Sequence, residues 1–277
     1  MTKRTWFITG INSGFGRLLT ERALEDGGRV AGTVRKPGSV ADLESRHGDA
    51  LWVGRTDVTD TVSLRRAVDG AFAAFGRIDV VVANAGYGLF GAAEELTDEQ
   101  VEHQIATNLT GLIHTVRAAL PHLRAQGGGR LVLFSSVAGL TANAGGSVYH
   151  ASKWGVEGFA EALAPEVAPF GIDVTIVEPG GARTSFVRSG VRLAEPMPDY
   201  DGTPASFLRV LKDGDVPIPG DPAKMAAAVI ASAGLSPAPL RIVLGSDSYQ
   251  AITTQMQERL AQILPQKDSA AATDADD

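Results

Sequence analysis

Tyr149 and Lys153 stand four residues apart, and on a helix such side chains share a face. A phenol is a poor acid at neutral pH, with a pKa of about 10. An ammonium group beside it favours the phenolate and lowers that value. A tyrosine placed in this way can donate the proton that a carbonyl oxygen needs when its carbon is reduced. The spacing alone is common by chance, so its meaning depends on what surrounds it. Ser136 precedes Tyr149 by thirteen residues, at the C-terminal end of an apolar run that reads as a strand. Asn108 lies in a long amphipathic pattern, on the stripe of Val101, Ile105, Leu112 and Val116. An amide there faces the core and needs partners, and by itself reads equally as a satisfied buried side chain.

A second constellation lies near the start of the chain. Thr9-Gly10-Ile11-Asn12-Ser13-Gly14-Phe15-Gly16 follows the first apolar run and opens the first helical pattern. Glycines there let the backbone turn tightly and approach a pyrophosphate, and the helix N-terminus supplies free N–H groups and the positive end of a dipole. No Lys-Ser/Thr follows the last glycine, so this is not a Walker loop. The plainer alternative is a glycine-rich turn that serves packing alone. Where a site for NAD would place an acid for the ribose 2′-hydroxyl, this chain has Thr33-Val34-Arg35-Lys36. Arg35 can pair with a 2′-phosphate through its planar fork, and Arg17 is a second candidate. A solvated Arg-Lys turn is the alternative.

Positioning these groups requires alternating strands and helices. Short β-branched runs occur at 5–9, 29–34, 51–53, 78–83, 130–134, 172–177 and 240–244. Several are apolar throughout, as strands buried on both faces are. Helical patterns occupy about 14–26, 60–75, 97–126, 149–168, 222–233 and 247–263. The expectation is an α/β fold: a doubly wound parallel sheet of about seven strands with helices on both faces and right-handed crossovers, in one domain over 1–264. Residues 184–220, rich in proline, read as a substrate loop that closes as a lid, and the Ala/Asp-rich 265–277 as a disordered tail.

Composition narrows the class. A net charge of −7 argues against a nucleic-acid partner or an anionic membrane surface. The absence of cysteine excludes disulfides and thiolate chemistry, and the five histidines form no metal-binding pattern, so no metal is expected. No stretch approaches a membrane span, and Met1–Gly10 passes directly into a strand with no signal-peptide pattern, which reads as cytoplasmic.

Together these motifs resemble the short-chain dehydrogenase/reductase family, in its branch of about 250 residues. The resemblance rests on Thr9-Gly10-x-x-x-Gly14-x-Gly16, Asp57-Val58, Asn84-Ala85-Gly86, Asn108, Ser136, Tyr149-x-x-x-Lys153 and Pro179-Gly180-x-x-x-Thr184, in family order. It implies a Rossmann-like fold and hydride transfer between a nicotinamide dinucleotide and a carbonyl or alcohol. It makes Tyr149 the general acid/base and Ser136 the hydrogen-bond partner of the substrate oxygen. Lys153 would lower the Tyr149 pKa and hold the nicotinamide ribose, and Asn108 would position a water in a proton relay. Cofactor contacts would come from Gly10, Asn12, Ser13, Gly14, Phe15, Gly16, Asp57, Val58, Asn84, Ala85, Gly86, Tyr149, Lys153, Pro179, Gly180 and Thr184. Arg35 adds a preference for NADP(H) over NAD(H). A homodimer or homotetramer is implied, acting on a small-molecule substrate. Candidate pocket residues are Phe90, Leu140, Asn143, Gly181, Phe186, Tyr200 and Phe207, whose character suits a hydrophobic carbonyl compound; Trp154, beside Lys153, reads as core packing. Two rival readings keep the fold: a dinucleotide sensor without catalysis, which would be expected to lose Tyr149 or Lys153, and a dehydratase or epimerase, which would need a larger C-terminal domain.

Overall fold

The structure, a computed structural model, describes residues 3–184, 190–206 and 218–275. Its strands are β1 (Thr5–Thr9), β2 (Arg29–Val34), β3 (Leu51–Arg55), β4 (Val80–Ala83), β5 (Gly88–Phe90), β6 (Gly129–Phe134), β7 (Ile172–Pro179), β8 (Val191–Leu193) and β9 (Arg241–Leu244). Seven of them form one parallel sheet in the order β3-β2-β1-β4-β6-β7-β9. The helices are α1 (Gly14–Glu25), α2 (Ala41–His47), α3 (Thr61–Phe75), α4 (Asp98–Ile105), α5 (Gly111–Ala125), α6 (Ser147–Val167), α7 (Pro222–Ser232), α8 (Ser246–Ile263) and α9 (Lys267–Ala271).

Two apolar layers sandwich the sheet, and the period of two in each strand feeds both. In β1, Trp6 and Ile8 join Leu19, Leu24, Leu43, Met225 and Val229 on the face of α1, α2 and α7. Phe7 between them joins Leu64, Val68, Leu112, Val116, Val156 and Leu163 on the face of α3, α5 and α6. The sheet and both helical layers are as the sequence predicts.

Several boundaries differ from expectation. The run at 78–83 enters the sheet only at Val80, because the Gln126 side chain takes both backbone groups of Ile78: its Oε1 accepts from the Ile78 N–H at 3.4 Å and its Nε2 donates to the Ile78 carbonyl at 2.7 Å. The helix expected over 97–126 is two helices joined by a π-helical segment, Ala106–Thr110. Helix α2 gives no periodic signal, since only Leu43 of its seven residues is buried. The tail read as disordered instead continues from α8 through a 3₁₀ turn, Leu264–Gln266, into α9. Its alanines are strong helix formers, and local propensity carries it although nothing there is buried. Within the expected substrate loop, β8 pairs in parallel with β5, and 3₁₀ turns occupy Pro198–Tyr200 and Pro204–Ser206. Residues 185–189 and 207–217 of that loop, including Phe186 and Phe207, lie outside the described residues, as does the lid closure expected of it.

Strand order reverses at β1 and β4, which opens a crevice at their C-terminal ends. Thr9 and Asn84 hold its two lips together. The Thr9 hydroxyl accepts from the backbone N–H groups of Asn84 and Ala85 at 3.0 and 3.1 Å. The Asn84 amide donates to the Thr9 carbonyl at 2.9 Å. Leaving a buried N–H unpaired costs about 1–3 kcal/mol. Thr9→Val keeps the shape and removes the acceptor of two such groups, so it should destabilise the fold by about 2–4 kcal/mol in urea titration.

Candidate active site

A single cavity of about 790 Å³ runs along the C-terminal edge of the sheet, from the glycine turn past β4 and β6 to the end of β7. Its first wall is the turn into α1. Gly10 and Gly14 have φ values of 76° and 55°, a region that favours glycine, and nothing lies within 4 Å of where a Cβ on Gly14 would stand. Ser13 stands at the N-cap of α1 without a side-chain capping bond, which leaves the leading N–H groups of the helix to another acceptor. Asn12, Ser13 and Phe15 also line the cavity, and the Phe15 ring rests on Phe134 of β6 at 5.5 Å. This is an open cradle of N–H donors, and it fits a dinucleotide pyrophosphate.

Gly16 is different. It does not line the cavity, and a Cβ there would come 2.2 Å from the Gly10 carbonyl and 2.6 Å from the Asn84 amide nitrogen. Its glycine makes room for the stitch between the strands.

The second wall carries Val34, Arg35, Asp57 and Val58, with Asn84, Ala85 and Gly86 between the two walls. Arg35 is 67% exposed, and its guanidinium is 4.0 Å from Asp57. Burial works against the Asp57 carboxylate, but the backbone N–H and hydroxyl of Thr59 and the charge of Arg35 together hold its pKa below the usual value. Arg17 is engaged elsewhere: it pairs with Glu21 at 3.0 Å and with Asp42, and it does not line the cavity. It is therefore removed as a candidate for a phosphate.

Ser136, Tyr149 and Lys153 meet at the far end. Ser136 follows β6 by two residues and accepts from the Ala138 N–H at 3.2 Å, and its hydroxyl faces that of Tyr149 across the cavity. Burial raises the Tyr149 pKa and the nearby Ser136 hydroxyl opposes that rise. Lys153 sits one turn on, its ammonium 5.9 Å from the Tyr149 ring centre and donating to the Phe134 carbonyl at 2.9 Å. Burial lowers its pKa to about 8, opposed by the charge of Glu157. Pro179, Gly180 and Thr184 close the cavity at the end of β7.

Asn108 is buried in the π-helical segment and does not line the cavity. Its Oδ1 accepts from the Tyr87 N–H at 3.0 Å, and its Nδ2 donates to the Tyr87 carbonyl at 2.8 Å and to Ser152 Oγ at 3.3 Å. One amide hydrogen is spent on the turn after Gly86 and the other on Ser152 of α6, the reading of a satisfied amide. Phe90, Asn143 and Gly181 line the cavity, with the Phe90 ring 5.1 Å from that of Tyr149. Leu140 and Tyr200 do not line it; the Tyr200 hydroxyl donates to Glu94 at 2.9 Å. Trp154 is on the surface, its indole N–H donating to the Thr141 carbonyl at 3.0 Å, and so is not core packing.

Sequence reasoning missed Tyr87, His103, Thr107, His150 and Arg192, which also line the cavity. Tyr87 and His150 directly follow motif residues, and that adjacency was the available signal. His103 bonds the Tyr87 hydroxyl at 2.8 Å. His150 accepts from the Asn143 N–H at 3.0 Å through Nε2, so the proton is on Nδ1, which donates to the Ala138 carbonyl at 3.0 Å.

Residues 4–192 match the short chain dehydrogenase family. The chain belongs to this family. It is similar to an oxidoreductase of Botryotinia fuckeliana (37% identical, covering 90% of this chain and 91% of the relative) and to a 3-ketodihydrosphingosine reductase of Bacteroides thetaiotaomicron (39%, covering 74% and 73%). Among solved structures, a short-chain dehydrogenase from Streptomyces avermitilis superposes with a TM-score of 0.92 at 36% identity, covering 99% of both chains. The chain is thus an NAD(P)-dependent oxidoreductase on a Rossmann-like sheet. No described helix is long and apolar enough to cross a membrane.

In this short-chain dehydrogenase, His150 joins α6 to the segment that carries Ala138 and Asn143. His150→Phe fills the same space but frees both backbone groups. It should cost about 1–2 kcal/mol of stability. It should also raise the KM for substrate while leaving NADPH binding, measured by fluorescence, unchanged.

Proposed function

We propose that the protein is an NADP(H)-dependent reductase of hydrophobic ketones, and the corresponding alcohol dehydrogenase in reverse. The carrying observation is Tyr149, which lines one cavity with Ser136, buried Lys153 and the glycine cradle. The dinucleotide supplies the hydride when bound. Gly10, Asn12, Ser13, Gly14 and Phe15 would take its pyrophosphate, Asp57, Val58 and Asn84–Gly86 its adenosine, and Pro179, Gly180 and Thr184 its nicotinamide end. Ser136 orients the substrate oxygen, and Tyr149 passes its proton to that oxygen as negative charge develops there. Lys153 places a positive charge behind the phenol, so the phenolate left after transfer is stabilised. Asn108 holds the wall of the cleft through Tyr87. Phe90 and the small residues Gly181 and Ala182 favour an apolar substituent, and a relative named 3-ketodihydrosphingosine reductase supports a ketone. A cytoplasmic homodimer or homotetramer completes the reading, on the sequence expectation and the family resemblance.

A panel of ketones followed by NADPH absorbance tests the class, and reduction of none of them would overturn it. Tyr149→Phe should fold and bind NADPH yet lose about 10²–10⁴-fold in kcat. A loss under about threefold would remove Tyr149 as the acid.

Cofactor preference rests on Arg35 and on Val34, whose side chain cannot accept from a 2′-hydroxyl. A hydrogen bond to a charged group contributes about 1.5–3 kcal/mol, or about tenfold to a hundredfold in favour of NADPH. The high exposure of Arg35 sets the expectation at the lower end. Arg35→Ala should erase most of the ratio of kcat/KM values for the two cofactors, and adding Val34→Asp should invert it. A wild type that favours NADH would overturn this assignment.

A further inference from the structure

Helix α6 carries acidic residues in register with the candidate site. Tyr149, Lys153, Glu157 and Glu161 follow one another at intervals of four and share a face. Glu157 is buried, one turn beyond the lysine, while Glu161 reaches solvent. A second buried carboxylate, Glu178 near the end of β7, has no exposed surface. Arg241 of β9 serves both: its Nη2 is 3.2 Å from Glu157 and its Nε 2.9 Å from Glu178, and Nη2 also meets Glu161.

The charges in this cluster do not balance on their own. Buried charges require partners, and one guanidinium stands against two buried carboxylates. Lys153, buried one turn before Glu157 on the same face of α6, is a second cation; it donates to the Phe134 carbonyl and makes no direct ion pair with Glu157. The groups facing Glu157 are Lys153 and Glu161 on its own helix, Glu178 from β7 and Arg241 from β9, with the Ser135 hydroxyl from the end of β6. Glu157 Oε1 makes no hydrogen bond, so one of its oxygens is free to act through charge alone. Gly139 leaves it room, since a Cβ there would lie 2.7 Å from that oxygen.

We propose that Glu157 is the counter-ion of Lys153, and that Glu178 supports it by holding the charge of Arg241, which makes Glu157 a positioning residue that keeps the lysine protonated. The relevance to catalysis rests on the assignment of Lys153 above. The pairing itself does not. Burial pulls the lysine down to about 8 while Glu157 holds it up, and Glu178 is pushed up to about 7 by burial and by Glu157. Lys153 and Glu178 therefore titrate near neutral pH, where a lost carboxylate charge is felt by the lysine. The sign follows directly. Removing the negative charge disfavours the ammonium, so the lysine loses its proton at lower pH, and activity that needs the ammonium falls off at lower pH.

The test reads Lys153 directly, by NMR titration of protein labelled at lysine ¹³Cε, with the signal identified by its absence in Lys153→Met. The wild-type midpoint should lie near 8. In Glu157→Gln, proton binding by Lys153 should weaken about tenfold, and Glu157→Asp, which keeps the charge, should restore most of it. Glu178→Gln should weaken it by less, because Arg241 then turns fully to Glu157. Glu161→Gln, at the exposed end, should weaken it by far less than Glu157→Gln. A folded Glu157→Gln in which the change is under about twofold overturns the proposal, as does an equal change in Glu161→Gln. If Glu157→Gln does not fold, Glu178→Gln decides, and an unmoved lysine there overturns it. The high-pH limb of kcat/KM for ketone reduction should move with the titration. A lysine that titrates as expected beside an unmoved limb upholds the pairing and faults the catalytic assignment instead.

Discussion

The cleft exists because β1 and β4 part company at their C-terminal ends, and the backbone groups released by that parting must be satisfied. The chain leaves β1 toward α1 on one face of the sheet and leaves β4 toward α4 and α5, with α5 on the other. Ladder bonds stop there, so the groups just beyond them need side-chain partners. Thr9 and Asn84 supply these to each other, each side chain serving the other's backbone. Both flanks of the opening are thereby fixed without filling it. The same constraint explains Gly16, whose missing Cβ leaves space for the Asn84 amide. The glycine motif thus has two jobs on neighbouring residues. Gly10 and Gly14 shape the cradle, and Gly16 protects the joint that keeps it open.

At the other end of the cleft the governing cost is the burial of charge. Lys153 is held between the Phe134 carbonyl and the Tyr149 ring, away from solvent. A buried ammonium is tolerated only with hydrogen bonds and a compensating charge. The carbonyl meets the first need, since it stands at the last residue of β6, beyond which the chain turns away. Helical spacing meets the second by carrying Glu157 one turn further along the same face. The phenol, the ammonium and the carboxylate are thus set by one rigid element, which positions reacting groups more closely than a loop can.

What could be read from the sequence followed from short-range periodicity. Apolar runs gave the seven strands, because strands covered on both faces have no alternation to hide. Tyr149 and Lys153 were legible because four residues on a helix fix a direction. Asn108 faces the core, as its stripe implies, but its partners Tyr87 and Ser152 lie 21 and 44 residues away, beyond any local signal. Arg17 was credited with a phosphate because its partner Asp42 lies on α2, a helix with a single buried residue and no pattern. Tyr87, His103 and His150 escaped notice because their roles arise from contacts to backbone or to each other across the fold, with no spacing rule that links them. The short pairing of β5 with β8 joins residues about a hundred positions apart, beyond any local signal.

The distribution of unsatisfied groups points to where stability gives way to function. The buried side-chain atoms without hydrogen-bond partners among the described residues belong to Gln104, Thr107, Ser135, Glu157, Glu178, Arg241 and Asp247. Most can be traced to the cleft. Thr107 and Ser135 line it, Gln104 is on the same helical stretch as His103, and Asp247 accepts from the N–H of Gly181 on its wall. Glu157, Glu178 and Arg241 are the charge cluster behind Lys153. The opposite edge of the sheet and the helices packed on it carry none. Buried polar groups in a native fold are otherwise almost always paired. Their concentration around the cleft sets that edge apart from the rest of the core. A core built for stability alone would place leucine or methionine at positions 157, 178 and 241, with no charge to balance. Retaining three ionisable groups there fits a lysine whose charge must be kept in a place that burial would otherwise empty of it.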